Sequence, residues 1–162
     1  MAAKRSAGIL LFRRQPHLQV LIGHLGGPLW SRRESAAWSI PKGEYGPDET
    51  PLQAARREFT EELGLPVPEA ELIELGAVTQ SGGKQVTAWA AEADLDLDQA
   101  VLGTFELEWP RGSGRIQRFP ELDRLAWCEP DQARDRLITS QRQFLDRLAE
   151  HLLTPRPPAE PR

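Results

Sequence analysis

One stretch of the chain carries the marks of a helix at both of its ends. Thr50 offers a hydroxyl for an N-cap, Pro51 suits the first helical position, and the run to Leu63 is rich in Ala, Arg, Glu and Leu until Gly64 ends it. At 100° per residue, with Glu58 set at 0°, Glu61 falls at about −60° and Glu62 at about +40°, so three carboxylates share one narrow sector. Leu52, Phe59 and Leu63 occupy the adjoining sector, at roughly 100° to 140°, which gives the helix a side to bury. The fold must therefore pack one side of this helix while three like charges repel one another beside it. A solvated charged face, helped by Arg57 reaching Glu61 at i+4, satisfies that pattern. So does a site for a hard divalent cation held by oxygen ligands. Position alone leaves both open.

The other segments alternate between strand and helix. Ala7 to Arg13 and Leu18 to His24 are apolar, β-rich runs separated by a turn, and Gly26-Gly27-Pro28 breaks regularity after them. Pro41 to Pro47 is a loop by composition. Leu72 to Thr79 and Gln85 to Ala91 make a strand pair around Gly82-Gly83. Phe105, Leu107 and Trp109 alternate with Glu106 and Glu108 as in a half-buried strand, and Leu125 to Cys128 is a further short strand. Ser140-x-x-Gln143 is a capping-box pattern ahead of Phe144, Leu145, Leu148 and Leu152 at helical spacing. The order fits an α/β or α+β domain over residues 1–153. The Pro-rich residues 154–162 have little to bury and read as a disordered or extended tail.

At 162 residues the chain has room for one domain that buries about two thirds of its unfolded surface. It has no apolar run near the ~20 residues needed to cross a bilayer. No apolar h-region follows the N-terminal charges, so a cytoplasmic address is expected. The single cysteine, Cys128, excludes an internal disulfide and any multi-cysteine metal site, and reads as a buried small hydrophobe. A formal charge of −4 argues against duplex nucleic-acid binding. A polyanionic substrate would have to be met by a local basic site or by metal.

The segment Gly43 to Leu65, GEYGPDETPLQAARREFTEELGL, resembles the box of the Nudix hydrolase family: Gly, five residues, Glu, seven residues, Arg-Glu-apolar-x-Glu-Glu-x-Gly-apolar. Gly43, Glu49, Arg57, Glu58, Phe59, Glu61, Glu62, Gly64 and Leu65 match it without departure, which chance would produce about once in 10⁷ chains of this length. The resemblance implies an α/β/α sandwich around a mixed β-sheet with a loop-helix-loop. It also implies a pyrophosphohydrolase that cleaves a diphosphate linkage in a nucleoside or dinucleoside polyphosphate, with Mg²⁺ or Mn²⁺ as cofactor. By correspondence, Glu58, Glu61 and Glu62 ligate metal together with the Gly43 carbonyl. Glu58 is also the expected general base, or the group that orients the attacking water. Arg57 orients a glutamate, and Glu49 supports the loop or a metal through water. Many relatives place one more acidic ligand before a late strand. Glu121 matches it best, Glu106 and Glu108 are rivals, and a solvated loop residue is the alternative.

Lys42, immediately before the box in Pro-Lys-Gly, is a candidate to bind a further phosphate as a point charge, or else an exposed solubility lysine. Arg32 and Arg33 are additional phosphate candidates. His24, Trp30 and Trp38 precede the box and are candidates to shape a pocket, since indole faces stack on bases, although tryptophan is usually core. The expected partner is a small nucleotide or polyphosphate, with no membrane and no duplex nucleic acid, and the protein is expected to be a monomer or homodimer. The alternatives are a nucleotide sensor on the same fold without turnover, an isomerase, or a hydrolase of ADP-ribose, capped RNA or diphosphoinositol phosphates.

Overall fold

The structure, a computed structural model, describes residues 4–154, so all of the Pro-rich segment but Thr154 lies outside the described residues. In chain order the elements are β1 (Arg5–Arg13), β2 (Gln19–Leu25), β3 (Trp38–Ser39), β4 (Lys42–Glu44), α1 (Pro51–Leu63), β5 (Leu72–Thr79), β6 (Gln85–Glu92), β7 (Thr104–Glu108), β8 (Ile116–Pro120), β9 (Leu122–Cys128), α2 (Pro130–Arg136) and α3 (Arg142–Leu153). Single 3₁₀ turns occupy Leu97–Gln99 and Thr139–Gln141.

The main sheet runs β3-β2-β1-β6-β5, with β4 added to β1 and β9 to β2. β1 and β6 are parallel from Arg5↔Gln85 to Phe12↔Glu92, and the other pairs are antiparallel, so the sheet is mixed. The pleat of β1 sends successive side chains to opposite faces. Ile9 and Leu11 join Ala54, Ala55, Phe59 and Leu63 of α1 in one core. Leu10 and Phe12 join Leu137, Phe144, Leu145 and Leu148 in the other, beneath α2 and α3. Helices therefore cover both faces, and the architecture is the expected α/β/α sandwich. No helix among the described residues is long and apolar enough to cross a membrane.

α1 begins and ends as its sequence requires. The Thr50 hydroxyl accepts from the Gln53 amide at 3.2 Å, and the Gln53 side-chain oxygen accepts from the Thr50 amide at 3.0 Å, a reciprocal capping box. Gly64 takes the left-handed conformation at φ 71°, and its amide donates to the Thr60 carbonyl at 2.8 Å.

Three local expectations change. The stretch from Pro41 to Pro47 is not loop throughout: it contains β4, which pairs Ser6↔Glu44, Ala7↔Gly43 and Gly8↔Lys42. That approach is possible because Gly8 has no Cβ, which would lie 2.5 Å from the Pro41 carbonyl oxygen. The Ser140 capping box does not form. Gln141 is the residue at the N-cap of α3, fully buried, with its amide group engaged elsewhere. Its oxygen accepts from the Ile40 amide and its nitrogen donates to the Ser39 hydroxyl, both at 2.9 Å. The strand at Phe105 ends at Glu108, so Trp109 falls outside it, and it pairs with β8 in a separate two-stranded sheet.

Candidate functional site

α1 meets β4 at Gly43. A Cβ there would lie 1.9 Å from the Glu58 carboxyl carbon and 2.0 and 2.4 Å from its oxygens, so only glycine lets that carboxylate press against the strand. Gly43, Glu58 and Glu62 line a cavity of about 320 Å³ whose remaining polar walls are Ser39, Lys42, Glu44, Lys84 and Glu121, with Leu25, Ile40 and Leu122 among its apolar ones.

Glu62 lies within the buried side of α1, 7% exposed, and accepts from the Lys42 amide at 3.2 Å. Burial pushes its carboxyl well above the usual carboxylate range; the Lys42 ammonium opposes this, while Glu121 and Glu58 add to it. Burial likewise lowers Lys42, assisted by Lys84 and opposed by Glu62, Glu121 and Glu44. Glu121, at the rim, is raised by burial and by Glu58 against the pull of Lys42 and Lys84. The cavity thus concentrates carboxylates that two lysines compensate only in part.

Backbone contacts fix Glu121 relative to the helix. Its amide donates to the Gly103 carbonyl at 2.9 Å, and its carbonyl accepts from the Gly26 amide at 2.9 Å. The Gly103 amide in turn donates to the Glu62 carbonyl at 3.0 Å. A Cβ at Gly103 would stand 2.3 Å from the Glu61 carbonyl oxygen, and one at Gly26 1.8 Å from that of Pro120.

Arg57 ties the outer carboxylates together. It donates to both oxygens of Glu49 at 2.8 Å, to Glu58 at 2.7 Å, to Glu61 at 3.2 Å and to the Glu44 carbonyl at 3.3 Å. The guanidinium is held charged by Glu49 first and Glu58 next, and it holds Glu49 below the usual carboxylate range. Glu61 shares the sector of Glu58 and Glu62, but its side chain is 58% exposed, faces Arg57 and does not line the cavity.

Among the described residues, no three His, Cys, Asp or Glu side chains stand close enough to make a ready coordination shell. The donor chemistry nonetheless fits a hard divalent ion: carboxylate oxygens and a glycine carbonyl around a cavity whose excess negative charge such an ion would neutralise.

The other sequence candidates separate by position. Of the three rival acids only Glu121 lines the cavity; Glu106 sits 3.7 Å from Arg118 and Glu108 accepts from the Gly112 amide, both on the separate hairpin. Of the substrate candidates only Lys42 lines it. His24 is buried with both ring nitrogens engaged, Nδ1 with Asp123 at 2.7 Å and Nε2 with the Arg33 carbonyl at 2.6 Å. Trp38 is 2% exposed, in the core beneath α2 and α3, with Arg124 and Arg136 against its ring at 5.3 and 4.8 Å. Trp30 carries the Arg33 guanidinium at 4.7 Å, and Arg32 is exposed outside the cavity. His24 and Trp38 hold the 24–38 segment to the body, Trp30 packs half-buried against the same core, and none of these side chains lines the cavity.

Sequence reasoning missed Lys84 and Glu44, which pair at 3.2 Å on the cavity wall. The only signal for them was register. Parallel pairing puts Gln85 beside Arg5, while β4 puts Glu44 beside Ser6, so the residue that follows Gly82-Gly83 lands next to β4.

A family model described as the NUDIX domain matches residues 2–148. An RNA pyrophosphohydrolase of Pseudomonas putida is 42% identical over 55 residues, 33% of this chain and 35% of that protein, so the chain spans about a third of the length of the curated relatives it matches. Among solved structures, a binary complex of a C. elegans Ap4A hydrolase superposes with a TM-score of 0.67 at 20% identity, covering 91% of this chain and 97% of that one. The Nudix hydrolase RenU of M. smegmatis superposes with a TM-score of 0.60 at 26% identity, covering 93% and 89%.

Proposed function

The chain belongs to the NUDIX family, and on that premise we propose that it is a metal-dependent pyrophosphohydrolase, cleaving a diphosphate linkage of a nucleoside or dinucleoside polyphosphate by attack of water on phosphorus. The observation that carries this reading is the gathering of Gly43, Glu58, Glu62 and Glu121 with Lys42 around one cavity. A diphosphate is strongly anionic and a poor electrophile, so its hydrolysis requires charge neutralisation, an aligned water and a stabilised leaving phosphate.

In this reading Glu58, Glu62, Glu121 and the Gly43 carbonyl would hold Mg²⁺ or Mn²⁺, with Glu61 joining them by family correspondence. Such an ion would supply Lewis-acid polarisation and neutralise phosphate charge. Glu58 accepts the proton of the attacking water, and Arg57, donating to Glu58 at 2.7 Å, fixes the direction of that carboxylate. Lys42 presents its ammonium to a phosphate oxygen. One domain over residues 1–153 carries the activity, which is placed in the cytoplasm and acts on a small nucleotide, in a monomer or homodimer.

The test is a panel of nucleoside triphosphates, Ap4A, ADP-ribose, NADH, capped RNA, 5′-triphosphorylated RNA and diphosphoinositol phosphates, each with Mg²⁺ and with Mn²⁺, with the products identified. RNA enters with the name of the P. putida relative. Metal-dependent release of phosphate-containing fragments, lost in Glu58→Gln, is the expected result. Nucleotide binding without any product would replace the enzyme by a sensor.

A further inference from the structure

β7 and β8 form a sheet of their own, and both roots of this hairpin are bonded into the carboxylate cavity. β7 starts one residue after Gly103, whose amide donates to the Glu62 carbonyl; β8 ends one residue before Glu121, whose amide donates back to Gly103. Anything seated on the hairpin is therefore held at a fixed offset from Glu62 and Glu121.

The register places Phe105 opposite Phe119 and Leu107 opposite Gln117, so these four share a face. The two rings lie 6.1 Å apart at 41° and are only half-buried. Phe105 packs beside Gly27, two residues after Leu25 of the cavity wall: a Cβ at Gly27 would come within 3.1 Å of the ring. Glycine there lets the ring edge approach the main chain closely, which fixes Phe105 in place and leaves the half-buried ring face to be used. Arg111, Arg115 and Arg118 make the tip and second strand of the hairpin basic in a chain of formal charge −4.

We propose that the Phe105–Phe119 face of the hairpin is the seat for the base of the nucleotide substrate, beside the carboxylates that act on its phosphates. The inference rests on the hydrolase reading and extends it by separating two recognition surfaces, aromatic for the base and charged for the phosphates. A planar base fits this face better than a protein partner, because the face is two rings wide and β8 runs from Phe119 directly into Glu121 on the cavity wall. Stacking is tolerant of base identity, since every base presents a π-face. The seat accordingly selects for a nucleobase without distinguishing among bases strongly.

The experiment uses the full chain with Mg²⁺ and two uncleavable probes that share a diphosphate-like unit, adenosine 5′-(α,β-methylene)diphosphate and methylenediphosphonate, titrated by calorimetry. Phe105→Ala and Phe119→Ala should each weaken the adenosine probe about tenfold and leave methylenediphosphonate unchanged, with Phe105→Tyr retaining affinity. Thermal unfolding checks the fold, and Phe105→Leu and Phe119→Leu, which keep apolar bulk but remove the ring, serve where an alanine variant does not fold. Equal weakening of both probes, no weakening of either, or a wild type that binds both alike or neither would overturn the proposal. So would a change in sedimentation mass without a change in adenosine-probe affinity, which would assign the face to a second copy of the chain. Because neither probe is cleaved, a wild type that prefers the adenosine probe yet hydrolyses nothing in the panel would sink the hydrolase reading and leave the base seat standing.

Discussion

On the α2/α3 side of the sheet, Leu10, Phe12, Trp38, Phe144 and Leu148 close into a buried apolar core whose Gln141 is satisfied by Ile40 and Ser39. On the α1 side, Ile9, Leu11, Phe59 and Leu63 are equally buried, but the same helix carries Glu62 into the buried layer, and three glycines, at 43, 103 and 26, admit contacts that a Cβ would block. One face sacrifices little to function. The other accepts repulsion and close approach at its edge, and is held in place by a well-packed helix and a well-packed opposite face.

The contrast can be broken most severely at Glu58. Glu58→Gln should lower metal-dependent turnover about 10³-fold while leaving thermal unfolding nearly unchanged, and unaltered steady-state rates would remove it from the chemistry. Phe144→Ala, on the opposite face, should do the reverse. It should cost about 3–5 kcal/mol of stability by denaturant titration while kcat per folded molecule stays near wild type. If turnover fell in proportion, the two faces would not be separable. Gly43→Ala should displace the Glu58 carboxylate by about an ångström and cost about 10²-fold in kcat, with a much smaller loss of stability than Phe144→Ala.

The smallest effect is one of pH. Glu62 is raised by burial, so between its ordinary value of 4.5 and its higher folded value the folded chain holds a proton that the unfolded chain has released. The metal-free protein should then lose stability progressively as pH climbs through that window. Glu62→Gln should flatten the slope, and a metal-free variant that kept it would place the titration elsewhere.

α1 was legible because all its determinants are local: Thr50 and Pro51 at one end, Gly64 at the other, and the glutamates at fixed angles between. Its membership in a loop-helix-loop was legible from the spacing of Gly43 and Glu49 to Arg57. β4 was not, because Lys42-Gly43-Glu44 becomes a strand only through Ser6, Ala7 and Gly8, which lie far away in sequence. β8 was hidden for a similar reason, since Gln117 and Arg118 have no apolar alternation and owe their strand to β7. The angular argument placed Glu61 and Glu62 together on α1 but could not show that one faces Arg57 and the other the core. His24 and Trp38 looked available in sequence because their partners, Asp123 for one and the α2/α3 core for the other, come from distant parts of the chain.

Arg57 donates to Glu49, Glu58 and Glu61 and to the main chain at Glu44. A substitution at any of these acids is therefore felt by the others through one shared guanidinium, and their effects will not add. A change at Arg57 releases three acids at once, so one substitution there reaches all of them, whether or not each acid ever touches a substrate.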